Sequence, residues 1–354
     1  MNINDLLEEV VAKAASDIFI IAGTPISYRA LGSIVRIGDR PMTPVDTEDV
    51  VQQIYDITNG RNIDLLHENG DDDFSFSIPG LSRFRVNAYK QRGSLSAVIR
   101  IIAFSLPTPE SLGINDNTMK FCDLNKGMVL VTGPAGSGKS TTLACMVNKI
   151  NEQREGHIIT LEDPVEFLHR HKKSIVSQRE VNIDTESYAT ALRASLRQSP
   201  DVILLGEMRD YETINVAMTA AETGHLILST LHTIGAANTI DRIIDVFPSN
   251  QQRQITVQLS MVLQAVISQQ LIPTIDGNLM PAFEIMTVTP AIRNMIRDGK
   301  IPQIDGMIYS STNEDMISMD SSLCKLCRDG QITRDTALAY ATNPDMLKMK
   351  LSGV

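Results

Sequence analysis

Apolar and polar residues alternate over much of the first hundred positions, as they do in β-strands with one buried face. Apolar side chains occupy every second position over residues 83–88 and again over 94–99, and Phe74 and Phe76 alternate with serines. The pattern predicts an antiparallel sheet that has one face against a core and one face in solvent.

Helix and turn signals interrupt this alternation. Residues 5–15 carry apolar side chains at helical spacing and predict an amphipathic helix. Thr47 is expected to cap a second helix that runs to Ile57, because acidic residues follow it in the first turn. The Gly32–Ser33 pair is typical of a hairpin turn. The run Asp71–Asp73 is interpreted as a solvated turn rather than a metal site.

From residue 127 onward, strands alternate with helices. The segment 202–205 is apolar throughout, which is typical of a strand buried on both faces of a parallel sheet. After about residue 287 the sequence predicts helices and gives no strand signal. The predicted strands and helices before that point are 128–132, 139–152, 158–161, 188–198, 202–205, 211–222, 226–230 and 236–247.

These changes of pattern predict an α/β chain in four parts. An α+β domain covers residues 1–106, and a break at Pro107-Thr108-Pro109 opens a linker over 107–126. An α/β core follows over 127–287, and a helical region over 288–354.

Composition limits the classes of function. The chain has 354 residues, of which 43% are apolar, and a net charge of −10. The acidic balance argues against sequence-independent nucleic-acid binding, and 5% aromatic residues without tryptophan leave little material for base stacking. No signal peptide and no apolar run near ~18 residues is present. We therefore expect a soluble cytoplasmic protein. The pair Cys324 and Cys327 is interpreted as two ordinary thiols.

The strongest motif is a match to G-x-x-x-x-G-K-[ST] between a predicted strand and a predicted helix. Its glycines let backbone N–H groups surround phosphate oxygens at a helix N-terminus. Lys139 is expected to bridge the β- and γ-phosphates, and Ser140 to ligate Mg²⁺. The motif and the residue after it are Gly133, Pro134, Ala135, Gly136, Ser137, Gly138, Lys139, Ser140 and Thr141.

Two groups of carboxylates follow predicted strands downstream of this motif. Glu162, Asp163 and Glu166 follow one strand, and Glu207 ends the apolar strand 202–205. Parallel strands deliver their C-terminal residues to one edge of a sheet, so these side chains are expected to converge on the phosphates. Acidic residues at strand ends are also common in turns, which is the alternative for each of them.

Two histidines bracket another apolar strand. His225 and His232 lie seven residues apart, and one of them is expected to reach the γ-phosphate and report hydrolysis to the following helix. A structural role for either histidine stays open at this point.

These segments resemble the secretion ATPase superfamily and, within it, the type IV pilus retraction ATPase family. The resemblance extends over residues 5–340 and rests on the phosphate loop and on four further runs. The runs are 160–167 (aspartate box), 191–210 (Walker B), 223–233 (histidine box) and 290–297 (a C-terminal motif). The long N-terminal extension and the four-cysteine insertion of pilus-assembly and type II secretion ATPases are missing, which favours the retraction branch.

The C-terminal motif reads as a helix over Pro290–Arg297 with Thr289 as its cap. Arg293 and Arg297 fall on one face without an acidic residue between them. We expect a carboxylate of a neighbouring domain or of another molecule to pair with them, and a surface helix whose apolar face packs on the core is the alternative.

The resemblance implies a PAS-like N-terminal domain and a RecA-like ATPase domain with a helical C-terminal part. It implies that Glu166 polarises the attacking water, that Glu207 organises Mg²⁺, in part through water, and that His225 and His232 couple hydrolysis to motion. Arginines of the N-terminal domain would then face the nucleotide of their own or an adjacent protomer. The candidates are Arg85, Arg92 and Arg100, and a place on a solvated sheet face is the alternative for each.

The function implied is that of a hexameric cytoplasmic ATPase that retracts type IV pili. ATP is expected rather than GTP, because neither Asn125-Lys126 nor Asn148-Lys149 continues to the aspartate of guanine pockets. The expected partners are five further copies of the chain and an inner-membrane pilus platform protein, through which alone it would meet the membrane. Alternatives are an accessory retraction ATPase, a type II/IV secretion ATPase and, last, a RecA-like nucleic-acid translocase.

Overall fold

A computed structural model describes residues 2–30, 33–58, 61–102, 106–311 and 315–352. The chain divides into two compact units. The first unit consists of Met1–Ser105 together with the short segment Glu166–Leu168, and the second consists of Leu106–Val165 and His169–Val354.

The first unit is a six-stranded antiparallel sheet with helices, in the strand order β3-β2-β1-β6-β5-β4. Its elements are α1 (Ile3–Ala12), β1 (Asp17–Ile20), β2 (Ser27–Ala30), β3 (Ser33–Arg36), α2 (Pro44–Asp56), α3 (Asp64–Asn69), β4 (Asp71–Ile78), β5 (Ser82–Gln91) and β6 (Ser94–Ile102).

The alternation of apolar and polar residues in the sequence corresponds to the alternation of buried and more exposed side chains along the strands of this sheet. Phe84, Val86 and Ala88 of β5 are buried, and they share one apolar core with Leu7 of α1 and Val51 of α2. Successive side chains of a strand point to opposite faces, so one face of the sheet receives the two helices. The predicted one-sided antiparallel sheet is confirmed.

Two local predictions in this unit are wrong. Helix α2 is capped by Thr43, whose Oγ1 accepts the Asp46 N–H at 3.2 Å while the Asp46 carboxylate accepts the Thr43 N–H at 2.8 Å. Pro44 has no N–H to satisfy and fits the first helical position, so the helix begins one turn before Thr47, which is buried.

The run Asp71–Asp73 is the start of strand β4 and not a turn. Cations of the same unit make this possible, because Asp72 forms an ion pair with Arg61 and Asp73 forms one with Arg85. Leu31 and Gly32, at the turn of the predicted hairpin, lie outside the described residues.

The second unit is built on a seven-stranded sheet in the order β13-β12-β7-β11-β10-β8-β9. All neighbouring strands are parallel except the edge pair β12 and β13. Before the C-terminal helices its elements are α4 (Asp116–Met119), β7 (Gly127–Thr132), α5 (Lys139–Gln153), β8 (His157–Glu162), β9 (Ile175–Glu180), α6 (Tyr188–Ser195), β10 (Val202–Leu205), α7 (Tyr211–Glu222), β11 (Leu226–Leu231), α8 (Ala236–Asp245), α9 (Ser249–Val262), β12 (Leu263–Pro273) and β13 (Leu279–Thr287), with short 3₁₀ turns at Glu110–Leu112 and Lys120–Asp123.

Apolar clusters cover both faces of this sheet. Strand β7 sends Met128 and Leu130 into one cluster and Val129 and Val131 into the other, and all four are fully buried. A strand buried on both faces reads as a continuous apolar run, which is why the sequence predicts β7, β8, β10 and β11 correctly.

Three strands of this sheet were not predicted, namely β9, β12 and β13. Strand β9 is an edge strand with the partly polar sequence IVSQRE. Strand β12 begins at Leu263, directly after α9 ends at Val262, with neither glycine nor proline between them. A change from helix to strand without a breaker leaves no local signal.

The C-terminal region is helical, as predicted. It contains α10 (Pro290–Arg297), a 3₁₀ turn (Ile301–Gln303), α11 (Ile304–Ser310), α12 (Met319–Arg328), α13 (Arg334–Tyr340) and α14 (Pro344–Ser352). Thr289 caps α10, as expected. The Arg293 guanidinium donates to the carbonyls of Ser260 and Met261, at 2.5 and 2.9 Å, and so satisfies the end of α9. Arg297 Nε lies 3.7 Å from the carboxylate of the next residue, Asp298.

No helix within the described ranges is long and apolar enough to cross a membrane.

The cap of α2 gives a first prediction. Thr43→Ala removes the acceptor of the Asp46 N–H and should destabilise the start of α2 by about 1 kcal/mol. Amide hydrogen exchange of the first α2 turn should then be about five-fold faster, because 1.4 kcal/mol is a factor of ten. Thr43→Ser keeps the hydroxyl and is the control. Equal exchange in Thr43→Ala and wild type would show that the cap contributes nothing.

Candidate nucleotide-binding site

The phosphate-loop motif connects the end of β7 to the start of α5. All six residues of β7 are buried, and α5 begins at Lys139 with Gly138 in the left-handed region at φ 85°. The strand therefore fixes one end of the loop in the core, and the first turn of α5 points its free N–H groups toward the loop.

Gly133 is required by a close approach of another strand. Its φ is 140°, and a Cβ there would overlap the backbone carbonyl oxygen of Gln269 in β12 and lie 2.8 Å from Ser137 Oγ. No other residue type fits between β7 and β12 at this point without moving one of them.

Polar groups gather inside the loop. Lys139 is 8% exposed, and its ammonium donates to the carbonyls of Gly133 and Pro134, each at 2.9 Å. Ser137 Oγ is buried and has no hydrogen-bond partner among the residues that the structure describes. Ser140 lies exposed in the first turn of α5. A buried cation, an unsatisfied hydroxyl and a helix N-terminus together form a site for phosphate groups.

Glu207 follows β10 and is the centre of a charged cluster. Its Oε2 lies 2.6 Å from Arg209 Nε and 3.5 Å from His232 Nε2. The preceding residue, Gly206, is held by its carbonyl, which accepts a hydrogen bond from Thr230 Oγ1 of β11 at 2.6 Å. The parallel pairing of β10 and β11 thus brings Glu207 and His232 together, as the sequence predicts for strand ends.

The carboxylate at the end of β8 lies near the same edge. Glu162 Oε1 accepts from Thr160 Oγ1 at 2.6 Å and from Gln178 Nε2 at 3.3 Å. Burial, and then the negative charges of Glu207, Asp163 and Glu162, raise the pKa of the Tyr188 hydroxyl. The Tyr188 hydroxyl lies 2.6 Å, and Glu162 Cα 3.4 Å, from the point where a Cβ of Gly206 would sit, so both lie beside the residue that precedes Glu207.

Glu166 belongs to a different compact unit from Glu162 and Glu207. It is exposed in the segment after β8, and Glu166–Leu168 forms part of the first compact unit. Glu162 and Glu207 lie in the second unit together with the phosphate loop, whereas Glu166 lies in the first unit.

The two histidines lie at opposite ends of β11. His225 precedes the strand, and its Nδ1 is 2.9 Å from the Ala220 carbonyl, whereas His232 follows the strand and lies beside Glu207. β11 lies between them, and the seven residue steps from one to the other span about 23 Å at 3.3 Å per residue. His232 alone shares the edge of the sheet that carries the phosphate loop, so the structure gives His225 no contact with that loop.

The three candidate arginines lie in the first unit. Arg85 forms an ion pair with Asp73 at 2.6 Å, and Arg100 one with Asp17 at 3.1 Å. Arg92 lies exposed in the turn between β5 and β6, with φ 50°. The first two guanidinium groups are thus neutralised by carboxylates of their own sheet.

Sequence reasoning missed two residues that shape the site. Arg209 is the cation nearest to Glu207, and its position two residues after that carboxylate was a signal in the sequence. Gln269 contacts the phosphate loop from β12, a strand that was not predicted, so the sequence held no usable signal for it. Cys324 and Cys327 lie on α12, and no group of three or more metal-binding side chains is present within the described ranges.

Comparisons with known proteins agree with this geometry. The family model described as "Type II/IV secretion system protein" matches residues 1–339. The type IV pilus retraction ATPase PilT of Pseudomonas aeruginosa is 46% identical, over 98% of this chain and 99% of its own. A twitching motility protein of Neisseria gonorrhoeae is 43% identical, over 98% of this chain and 92% of its own. The crystal structure of a pilus retraction motor PilT with bound ADP superposes with a TM-score of 0.90 at 43% identity, over 98% of this chain and 99% of that one.

The contact between Gly133 and β12 gives a second prediction. Gly133→Ala places a methyl group against the Gln269 carbonyl, so the loop must move and ADP affinity should fall at least ten-fold in calorimetric titration. Gly277→Ala is the matched control: it has φ 83°, but nothing lies within 4 Å of its new Cβ. If the two variants bind ADP equally, the close approach of β12 does not shape the site.

Proposed function

This chain belongs to the type II/IV secretion system protein family, and we propose that it is the ATPase that drives type IV pilus retraction. The observation that carries the proposal is the 46% identity to a pilus retraction ATPase over nearly the whole of both chains. The phosphate loop, Glu207 and His232, assembled at one edge of the parallel sheet, supply the chemistry of such an enzyme.

The residues of the phosphate loop bind the nucleotide through its phosphate groups. The N–H groups of the loop and of the α5 N-terminus donate to the phosphate oxygens, and Lys139 exchanges its contacts with the Gly133 and Pro134 carbonyls for phosphate oxygens. Ser137 Oγ gains the partner that it lacks. The family's cofactor Mg²⁺ would be held by Ser140 and, through water, by Glu207. When bound, it neutralises the phosphate charge.

Hydrolysis requires a group that activates water. We assign this role to Glu166, since a carboxylate can polarise the water and accept its proton. Glu166 lies exposed in the segment after β8. Among the arginines we favour Arg92, because Arg85 and Arg100 would first have to leave Asp73 and Asp17.

His232 would transmit the result of hydrolysis. It lies 3.5 Å from Glu207 and only four residues before helix α8, which begins at Ala236. A change in the charge or position of Glu207 therefore acts on the segment that leads into α8. His225 lies at the other end of β11, beside the Ala220 carbonyl. We propose that it affects the segment before α8 only indirectly, through the strand.

The remaining parts of the proposal concern assembly and place in the cell. We propose that six copies form a ring at the cytoplasmic face of the inner membrane, where they act on a pilus platform protein. The net charge of −10 supports a protein partner rather than nucleic acid.

The two carboxylates give a third prediction. Glu166→Gln should leave ATP binding nearly unchanged and slow hydrolysis by about 10²–10⁴-fold, because the amide keeps the shape but cannot take a proton. Glu207→Gln should slow hydrolysis and also raise the Mg²⁺ concentration that hydrolysis requires. Steady-state phosphate release measured at varied Mg²⁺ concentration distinguishes the Glu166→Gln variant from the Glu207→Gln variant. Glu162→Gln is the control, and if it alone abolishes hydrolysis, the wrong carboxylate has been assigned.

The cellular function gives a fourth prediction. A strain of the source organism that lacks this gene should keep extended pili and lose twitching. Wild-type protein should restore twitching, whereas Lys139→Ala should not, because that variant lacks the cation that binds phosphate. Electron microscopy of pili distinguishes the alternatives: loss of pili would indicate an assembly motor. Unchanged pili with unchanged twitching would contradict the proposal.

A further inference from the structure

The residue Gln269 lies where strand β12 passes the phosphate loop. β12 pairs with β7 in parallel up to the partners Ser268 and Thr132, so the next residues on the two strands are Gln269 and Gly133. Gln269 is 3% exposed, and none of the chemistry described above uses its side chain.

The side chain of Gln269 reaches across the loop to helix α5. Its Oε1 accepts a hydrogen bond from Thr142 Oγ1 at 2.7 Å, and Thr142 is fully buried. Its Nε2 lies 3.0 Å from the point where a Cβ of Gly138 would sit. One residue thus contacts the beginning of the loop through its carbonyl, the end of the loop through its amide, and α5 through its amide oxygen.

Thr142 is well placed to transmit this contact to the phosphate site. It is the fourth residue of α5 and follows Lys139 by three positions, so both lie within the first turn of the helix. A hydrogen bond between two buried polar groups is costly to leave unmade, which gives the first turn one preferred position against β12.

We propose that Gln269 is a positioning residue for nucleotide binding, whose side chain holds the first turn of α5 so that Lys139 and Ser140 face the phosphates. The inference rests on the proposed function, because it assumes that the loop binds a nucleoside di- or triphosphate. Phosphate recognition through N–H groups depends on their being fixed before the ligand arrives, since ordering them on binding costs affinity.

The two ends of the hydrogen bond can be removed separately. Gln269→Leu has a similar volume and no acceptor, and Thr142→Val replaces the hydroxyl by a methyl group. Each should weaken ADP binding about ten-fold in calorimetric titration and raise the KM for ATP to the same degree, while kcat changes less than about three-fold. The double variant should be no weaker than either single one, because both remove the same bond.

The controls separate positioning from general stability. Gln270→Leu changes the next residue of β12, which lies on the other face of the strand, and should leave ADP affinity unchanged. Thr142→Ser keeps the hydroxyl and should restore most of the affinity that Thr142→Val loses. Thermal unfolding is recorded for every variant, and if Gln269→Leu does not fold, Thr142→Val and Thr142→Ser carry the test.

The outcomes distinguish this inference from the proposed function. If Lys139→Ala binds ADP like wild type, the phosphate-loop assignment fails. If Lys139→Ala loses binding while Gln269→Leu and Thr142→Val bind normally, only the role of Gln269 fails. The role also fails if the effects of the two substitutions add, or if kcat falls while KM stays constant.

Discussion

The passage of β12 beside the start of the phosphate loop constrains the rest of the nucleotide site. Gly133 can lie against the Gln269 carbonyl only because it has no side chain, and this contact fixes the direction in which the loop leaves β7. Because the loop then ends at the N-terminus of α5, the positions of Lys139 and Ser140 follow from the same contact. A tightly packed sheet transmits such a constraint, since its strands have no free space into which to move.

The carboxyl edge of the parallel sheet concentrates charge beside this loop. β10 and β11 end next to each other and place Glu207, Arg209 and His232 within one cluster. Arg209 balances Glu207, so the cluster can sit at the edge of a strongly apolar sheet. In the first unit the arginines of the solvated face are paired in the same manner, with Asp73 and Asp17. Arg209, Arg85 and Arg100 thus each lie beside a carboxylate of their own unit.

The edge pair of β12 and β13 also connects the nucleotide site with the C-terminal helices. Next to Gln269, Ser268 Oγ accepts the Gly235 N–H at 3.0 Å, and its partner on β13, Glu284, accepts the Ala236 N–H at 2.9 Å. Glu284 also accepts the Met319 N–H at the start of α12, and burial raises its pKa. One buried carboxylate thus faces the positive ends of two helices, α8 after His232 and α12 in the C-terminal region.

The sequence by itself determined the features that depend on neighbouring residues. The apolar runs of β7, β8, β10 and β11, the alternation of the first sheet and the G-x-x-x-x-G-K-S motif are all local patterns, and the fold class follows from them. The tertiary structure alone decided which distant residues meet. It brought His232 beside Glu207, placed Glu166 in the first unit and brought Gln269 to the phosphate loop. The physical reason is that strand order and the packing of one strand against a loop depend on contacts between segments more than a hundred residues apart, as between Thr142 and Gln269, and no local periodicity records such contacts.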